Sequence, residues 1–114
     1  MGADKMSVYE NKKVEQHRNL CADLTDLYAR KNHDYGDSFH QSFCEEGLAM
    51  ARIRLGDKFG RFKTLTKNLE ANEVGQQVTD ETVKDTLLDL ANYAIMTVME
   101  MDAAKEVGVD EHND

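Results

Sequence analysis

Four polar side chains in the last third of the chain, Glu81, Asp85, Asp89 and Asn92, follow one another at steps of four, four and three residues. At 100° per residue these steps confine them to an arc of about 80°, so on a helix they line one face over three turns. Carboxylates four residues apart on a helix lie roughly 6 Å from each other and can reach one hard divalent cation or two neighbouring ones. Asp85 and Asp89 are thus candidate carboxylates of a divalent-metal site, with Glu81 on the same face. Such cations keep several waters, which is how a triphosphate joins them.

A second constellation precedes it. Arg54, Asp57, Lys58 and Arg61 stand at i, i+3, i+4 and i+7 and share one helical face. Arg54, Lys58 and Arg61 around one carboxylate make a phosphate-sized positive patch in an acidic protein. The plainer reading is a solvated face with Asp57–Arg61 pairing, worth a few tenths of a kcal/mol. Each acid has its own plainer reading too. Glu81 and Asp85 suit a first helical turn, where carboxylates complement the dipole. Asp89 and Asn92 fall inside an apolar segment, where an unpaired carboxylate costs several kcal/mol, and a salt bridge from Arg54, Lys58 or Arg61 would compensate Asp89.

These side chains need helices to position them. Val14, Leu20, Cys21, Leu24, Leu27 and Tyr28 form an apolar stripe on a first helix from Glu10 to Lys31, with His17 inside the stripe as a core residue without a role. Leu48, Ala51, Leu55, Phe59, Phe62 and Leu69 form the stripe of a second, from about Glu46 to Leu69. Asn68 to Val78, with Gly75, reads as a loop, and Thr79 as the N-cap of a third helix ending near Lys105. Its segment Leu87–Met99 is apolar almost all round, which places it centrally in a bundle or at a subunit interface. The connection Asn32–Cys44 is long for a helical hairpin. It carries Asn32, Asp34 and Tyr35 as candidate substrate-binding residues. His33 and His40 are a weak zinc signal, and Phe39 and Phe43 are rings that either close the bundle end or stack on a base.

The sequence contains no proline, and 32% of its residues are charged. Both facts favour long amphipathic helices. The expectation is an all-α fold: three main helices in one domain over residues 1–114, ordered over about 10–106 with frayed termini, in a bundle completed by homo-oligomerisation. A net charge of −8 repels nucleic-acid strands and leaves a Mg²⁺-bridged mononucleotide as the fitting partner. No basic recognition helix supports a helix-turn-helix DNA binder. The two cysteines, Cys21 and Cys44, have no zinc-type spacing, and neither a signal peptide nor a membrane span is legible, so a reducing cytoplasm is expected.

Three ordered blocks together carry a resemblance: Lys31-Asn32 with Asp34-Tyr35-Gly36; Ile53-Arg54-Leu55-Gly56-Asp57-Lys58 with Arg61; and Glu81, Asp85-Thr86-Leu87 and Asp89-Leu90-Ala91-Asn92-Tyr93-Ala94. Over roughly residues 20–98 the chain resembles the nucleotide modification associated domain 1 family of phages and bacteria. That family looks related in helical pattern to MazG-like all-α nucleotide pyrophosphohydrolases, which hold Mg²⁺ with carboxylates on paired helices. The resemblance implies a Mg²⁺-dependent nucleoside triphosphate pyrophosphohydrolase in which the catalytic Asp85 and Asp89, with help from Glu81 or Asp57, hold the metal, Arg54, Lys58 and Arg61 neutralise phosphates, and Asn92 orients a ligand or sugar hydroxyl. Two departures stand out: the first helix lacks the acidic E-x-x-E pair of MazG-like enzymes, and Asp85 and Asp89 are spaced by four rather than three. The alternative is a non-catalytic helical module that binds a nucleotide or a protein partner in phage DNA metabolism.

Overall fold

The structure, a computed structural model, describes residues 7–35, 37–71 and 76–112, with side chains described except at 33–35, 69–71, 76–79 and 107–112. The described residues form four α-helices and no strand: α1 (Val8–Tyr35), α2 (Ser38–Glu46), α3 (Leu48–Ala71) and α4 (Gln76–His112). The all-α expectation holds, with one helix more than the three expected. By its internal contacts the chain divides into two compact units, residues 1–36 and 37–114.

In the first unit, α1 begins earlier than Glu10 because Ser7 and Glu10 make a reciprocal capping box. The Glu10 amide donates to Ser7 Oγ at 3.0 Å and the Ser7 amide to Glu10 Oε1 at 3.1 Å. The two bonds satisfy donors that the first turn would otherwise leave open, and the Ser7 amide holds the Glu10 carboxyl below its ordinary pKa. Of the expected stripe, Leu24 is buried and Leu27 and Tyr28 are half-buried, whereas Val14, Leu20 and Cys21 are exposed. His17 is exposed as well, which corrects its placement in a core.

The second unit is built on α3, which packs chiefly against α4 and also against α2. Gly47 joins α2 to α3 with φ 66°, a left-handed conformation that costs a residue bearing a Cβ, and its amide closes α2 by donating to the Phe43 carbonyl at 2.7 Å. The core is small: Phe39, Met50 and Ala51 are buried, and Phe43, Tyr93 and Met96 pack on them. Phe39 meets Tyr93 at 5.8 Å between ring centroids in a tilted pair. Such a contact adds about 0.5–1.5 kcal/mol to the burial itself. It also explains why the presumed loop before Cys44 is helical: a nine-residue segment of low intrinsic stability is held by the ring it buries. Phe39 and Phe43 therefore close this end of the core, as expected.

Two other expectations are corrected on α3 and α4. Leu48 and Phe59, assigned to the buried stripe of α3, are 50% and 52% exposed. The helix instead turns Ala51, with half-buried Leu55 and Phe62, inward. α4 starts at Gln76, so Thr79 lies inside the helix rather than capping it, and α4 continues past Lys105 to His112. Glu81 and Asp85 consequently sit beyond the first turn, which contains no acid, and the dipole reading of both falls.

α4 is also inverted relative to its composition. Among its described residues the buried ones are polar, namely Thr86, Asn92 and Thr97, while Leu87, Ile95, Val98, Met99 and Met101 are exposed. The buried hydroxyls are satisfied within the helix: Thr86 donates to the Thr82 carbonyl at 2.9 Å and Thr97 to the Tyr93 carbonyl at 2.7 Å. Among the described residues no buried side-chain nitrogen or oxygen lacks a hydrogen-bond partner. The inner face of α4 thus carries a polar seam beside Tyr93 and Met96, while several of its large apolar side chains are turned out.

Candidate functional site

The polar seam of α4 is where the two constellations meet. Lys58, at mid-length on α3, donates from Nζ to Asp89 Oδ2 at 3.2 Å, and their side chains are 28% and 21% exposed. The ammonium group also lies 5.9 Å from the centroid of the Tyr93 ring. Tyr93 follows Asp89 by one helical turn, so carboxylate and ring present themselves to the same cation. Asn92, 9% exposed, stands on the same stretch of α4.

The local sequence accounts for this arrangement. Lys58 has a four-carbon stem that covers apolar surface while its charge reaches a polar partner. α3 supplies Lys58 two turns after the buried Met50 and Ala51, so packing fixes its base. On α4 the steps from Thr86 to Asp89 to Tyr93 to Met96 alternate three and four residues, which keeps all of them on the face toward α3. An isolated carboxylate in that seam would be costly, and Lys58 offsets the cost at short range.

The remaining candidates divide by exposure. Arg54 is half-buried one turn before Lys58, whereas Arg61 and Asp57 are exposed on α3. Glu81 and Asp85 are exposed on α4. Among the described residues no three His, Cys, Asp or Glu side chains converge into a cage for a metal ion. Asn32 is a half-buried residue of the first unit. The side chains of Asp34 and Tyr35, and of His33, lie outside the described residues.

Two features escaped the sequence reading. The Tyr93 ring under Lys58 was legible as the residue one turn after Asp89, but apolar surroundings drew it into the core assignment. His40 pairs with Glu100, its Nδ1 2.7 Å from Glu100 Oε1, and Cys44 Sγ lies 3.6 Å from His40 Nε2. The bond to Glu100 raises the pKa of His40, and the charge of Asp37 acts in the same direction. A separation of 60 residues hides the His40–Glu100 contact from any periodicity.

Comparison with known proteins adds one finding. The family model described as nucleotide modification associated domain 1 matches residues 31–101, a segment that includes α2, α3 and the seam of α4. The chain belongs to that family. The nucleotide modification associated domain 1 match covers Lys58, Asp89, Asn92 and Tyr93, and it begins within α1 at Lys31. No curated protein and no solved structure matches the chain.

Proposed function

We propose that the protein binds a nucleoside phosphate along the seam between α3 and α4. The observation that carries the reading is Lys58, a half-buried cation held in place by Asp89 and over the Tyr93 ring. A cation fixed before its ligand arrives loses little side-chain freedom on binding, and its partner carboxylate can exchange it for phosphate oxygens. Arg54 and Arg61 flank Lys58 by one turn on either side and bring two guanidinium forks suited to phosphate. Asn92 supplies an amide for a base or sugar hydroxyl, and the family description points to nucleotides.

Charge supports a mononucleotide over a strand, since a net −8 opposes a polyanion beyond the reach of three cations. Among the described residues no helix is long and apolar enough to cross a membrane. The exposed Leu87, Ile95, Val98, Met99 and Met101 of α4 favour association with a second copy, because a stripe of this kind is rarely left in water. A cytoplasmic setting completes this reading.

A second reading, Mg²⁺-dependent pyrophosphohydrolysis of MazG-like type, is favoured by Asp85 and Asp89 standing one turn apart on α4. Mg²⁺ is commonly held by one or two carboxylates together with substrate phosphates, so these two fit an ion that arrives with a triphosphate, with Glu81 or Asp57 in support. They do not fit a resident ion in an all-protein cage, given that no three ligands converge among the described residues. Such an ion would polarise phosphate oxygens and lower the pKa of a bound water. Lys58 already occupies Asp89 and would have to yield that oxygen.

The test is a panel of nucleoside triphosphates, unmodified and base-modified, assayed with Mg²⁺ for melting shift and for released pyrophosphate against phosphate. Stabilisation by a nucleotide supports the binding reading, and pyrophosphate release adds catalysis. A panel without any melting shift contradicts both.

A further inference from the structure

Three turns beyond Asp89, roughly 16 Å along α4, a different chemistry is assembled. α2 carries His40 and Cys44 four residues apart, so one helical turn brings sulfur to ring, and α4 contributes Glu100. The imidazole is bonded by Glu100 at one nitrogen and has the sulfur beside its ring. Nδ1 is 2.7 Å from Glu100 Oε1, and Nε2 is 3.6 Å from Cys44 Sγ, which lies 4.0 Å from Nδ1. The Glu100 side chain is 18% exposed and that of His40 53%, so the carboxylate is the shielded end of the chain and the thiol the open one.

This is the order nucleophile, base, orienting carboxylate that activated thiols require. We propose that Cys44, His40 and Glu100 form a reactive-thiol centre whose substrate is a small hydroperoxide. Glu100 fixes the imidazole through Nδ1–H and favours its protonated form, and the positive charge of the imidazolium ring beside the sulfur stabilises the thiolate. The titratable groups facing His40 are Glu100 from α4, Asp37 at the N-cap of α2 and Cys44 from α2 itself, and both carboxylates favour the cation. In the reaction the thiolate attacks one peroxide oxygen and forms the S–O bond while the O–O bond breaks. The departing hydroxide takes the Nε2 proton and leaves as water. Cys44 ends as a sulfenic acid, oxidised by two electrons, the peroxide is reduced by two, and His40 ends neutral. An open, unwalled thiol suits a reagent of this size and offers nothing to select a larger one.

The chain contains its own control. Cys21 is exposed on α1 and its sulfur is 3.6 Å from His17 Nδ1, again at four residues, but among the described residues no carboxylate bonds His17. Full-length protein is exposed to iodoacetamide, and separately to hydrogen peroxide with dimedone to trap sulfenic acid, and both cysteines are quantified by mass spectrometry from about pH 5.5 to 9. Cys44 is expected to react about tenfold faster than Cys21 near pH 6.5. Glu100→Gln and His40→Gln should bring Cys44 to the rate of Cys21, and Asp102→Asn, an exposed acid on α4, should leave it fast. Equal rates at the two cysteines in the parent, a comparison that needs no variant to fold, would overturn the centre. Fast alkylation without sulfenic acid would overturn hydroperoxide as its substrate.

Discussion

Replacing Asp89 by Asn tests the seam most sharply, because size and helical geometry are kept while the charge that faces Lys58 is removed. An exposed ion pair contributes about 0–1 kcal/mol, and stranding one member of a buried pair costs about 3–5. Lys58 and Asp89, at 28% and 21% exposed, lie between these limits. The amide oxygen of Asn still accepts from Nζ, and the Tyr93 ring at 5.9 Å remains beneath the cation. Both soften the loss, which is expected near 1–2 kcal/mol. For a domain of this length that is a fall of about 3–12 °C in Tm. Thermal melts by circular dichroism, run with and without Mg²⁺ and a nucleoside triphosphate, measure it. Under the metal reading, Mg²⁺ with nucleotide also raises the parent Tm and leaves the variant nearly unmoved. A variant as stable as the parent, or more so, would refute the reasoning, since it would mean that repulsion between Asp85 and Asp89 outweighs the pair with Lys58.

Three further outcomes follow from the same geometry. Arg61→Ala should weaken nucleotide binding by about 1.5–3 kcal/mol while leaving Tm within a degree or two, because Arg61 is exposed; equal affinity by calorimetry returns that residue to solvent. Val98, 55% exposed in the middle of the outer stripe of α4, should tolerate Glu within one chain but not across an association surface. Light scattering should then show an oligomer for the parent and a smaller species for Val98→Glu, and a parent monomeric at micromolar concentration contradicts the proposal. The raised pKa of His40 makes its pair with Glu100 stabilising below the unfolded value of about 6.5, and that contribution is lost as pH rises through the folded value above it. The Tm difference between parent and His40→Gln should therefore be largest near pH 6 and shrink toward pH 8.5; a difference that grows with pH contradicts the assignment.

Much of this architecture was legible in residue order, for definite reasons. Freedom from proline and the three-and-four spacing of apolar residues dictate helices. The cost of burying a carboxylate demanded a partner for Asp89, and the shared face of Arg54, Lys58 and Arg61 named its three candidates. Only packing could choose among them, and it chose the residue whose base is fixed two turns from Met50 and Ala51. Other features depended on distant contacts. α2 is too short to announce itself and forms because Phe39 finds Tyr93 more than fifty residues away. The His40–Glu100 pair is hidden for the same reason. Two errors were local. The Ser7-x-x-Glu10 signature of a capping box lay outside the chosen helix start, and Thr79 attracted the cap of a helix that begins at Gln76. The outward turn of Leu87, Ile95 and Val98 follows from composition in reverse: α4 is so apolar that one face alone could not bury it.

The central claim is that Lys58 meets phosphate at the seam, and calorimetric titration of a nucleoside triphosphate into three proteins tests it most directly. The parent is compared with Lys58→Ala and with Lys63→Ala, which removes the same charge from a side chain lying instead over the Phe59 ring. The account predicts that affinity falls about 10- to 100-fold in Lys58→Ala, the worth of a charge-assisted bond to phosphate, and stays within about twofold in Lys63→Ala. Equal losses in the two variants would reduce the effect to net charge, and unchanged affinity in Lys58→Ala would contradict the claim.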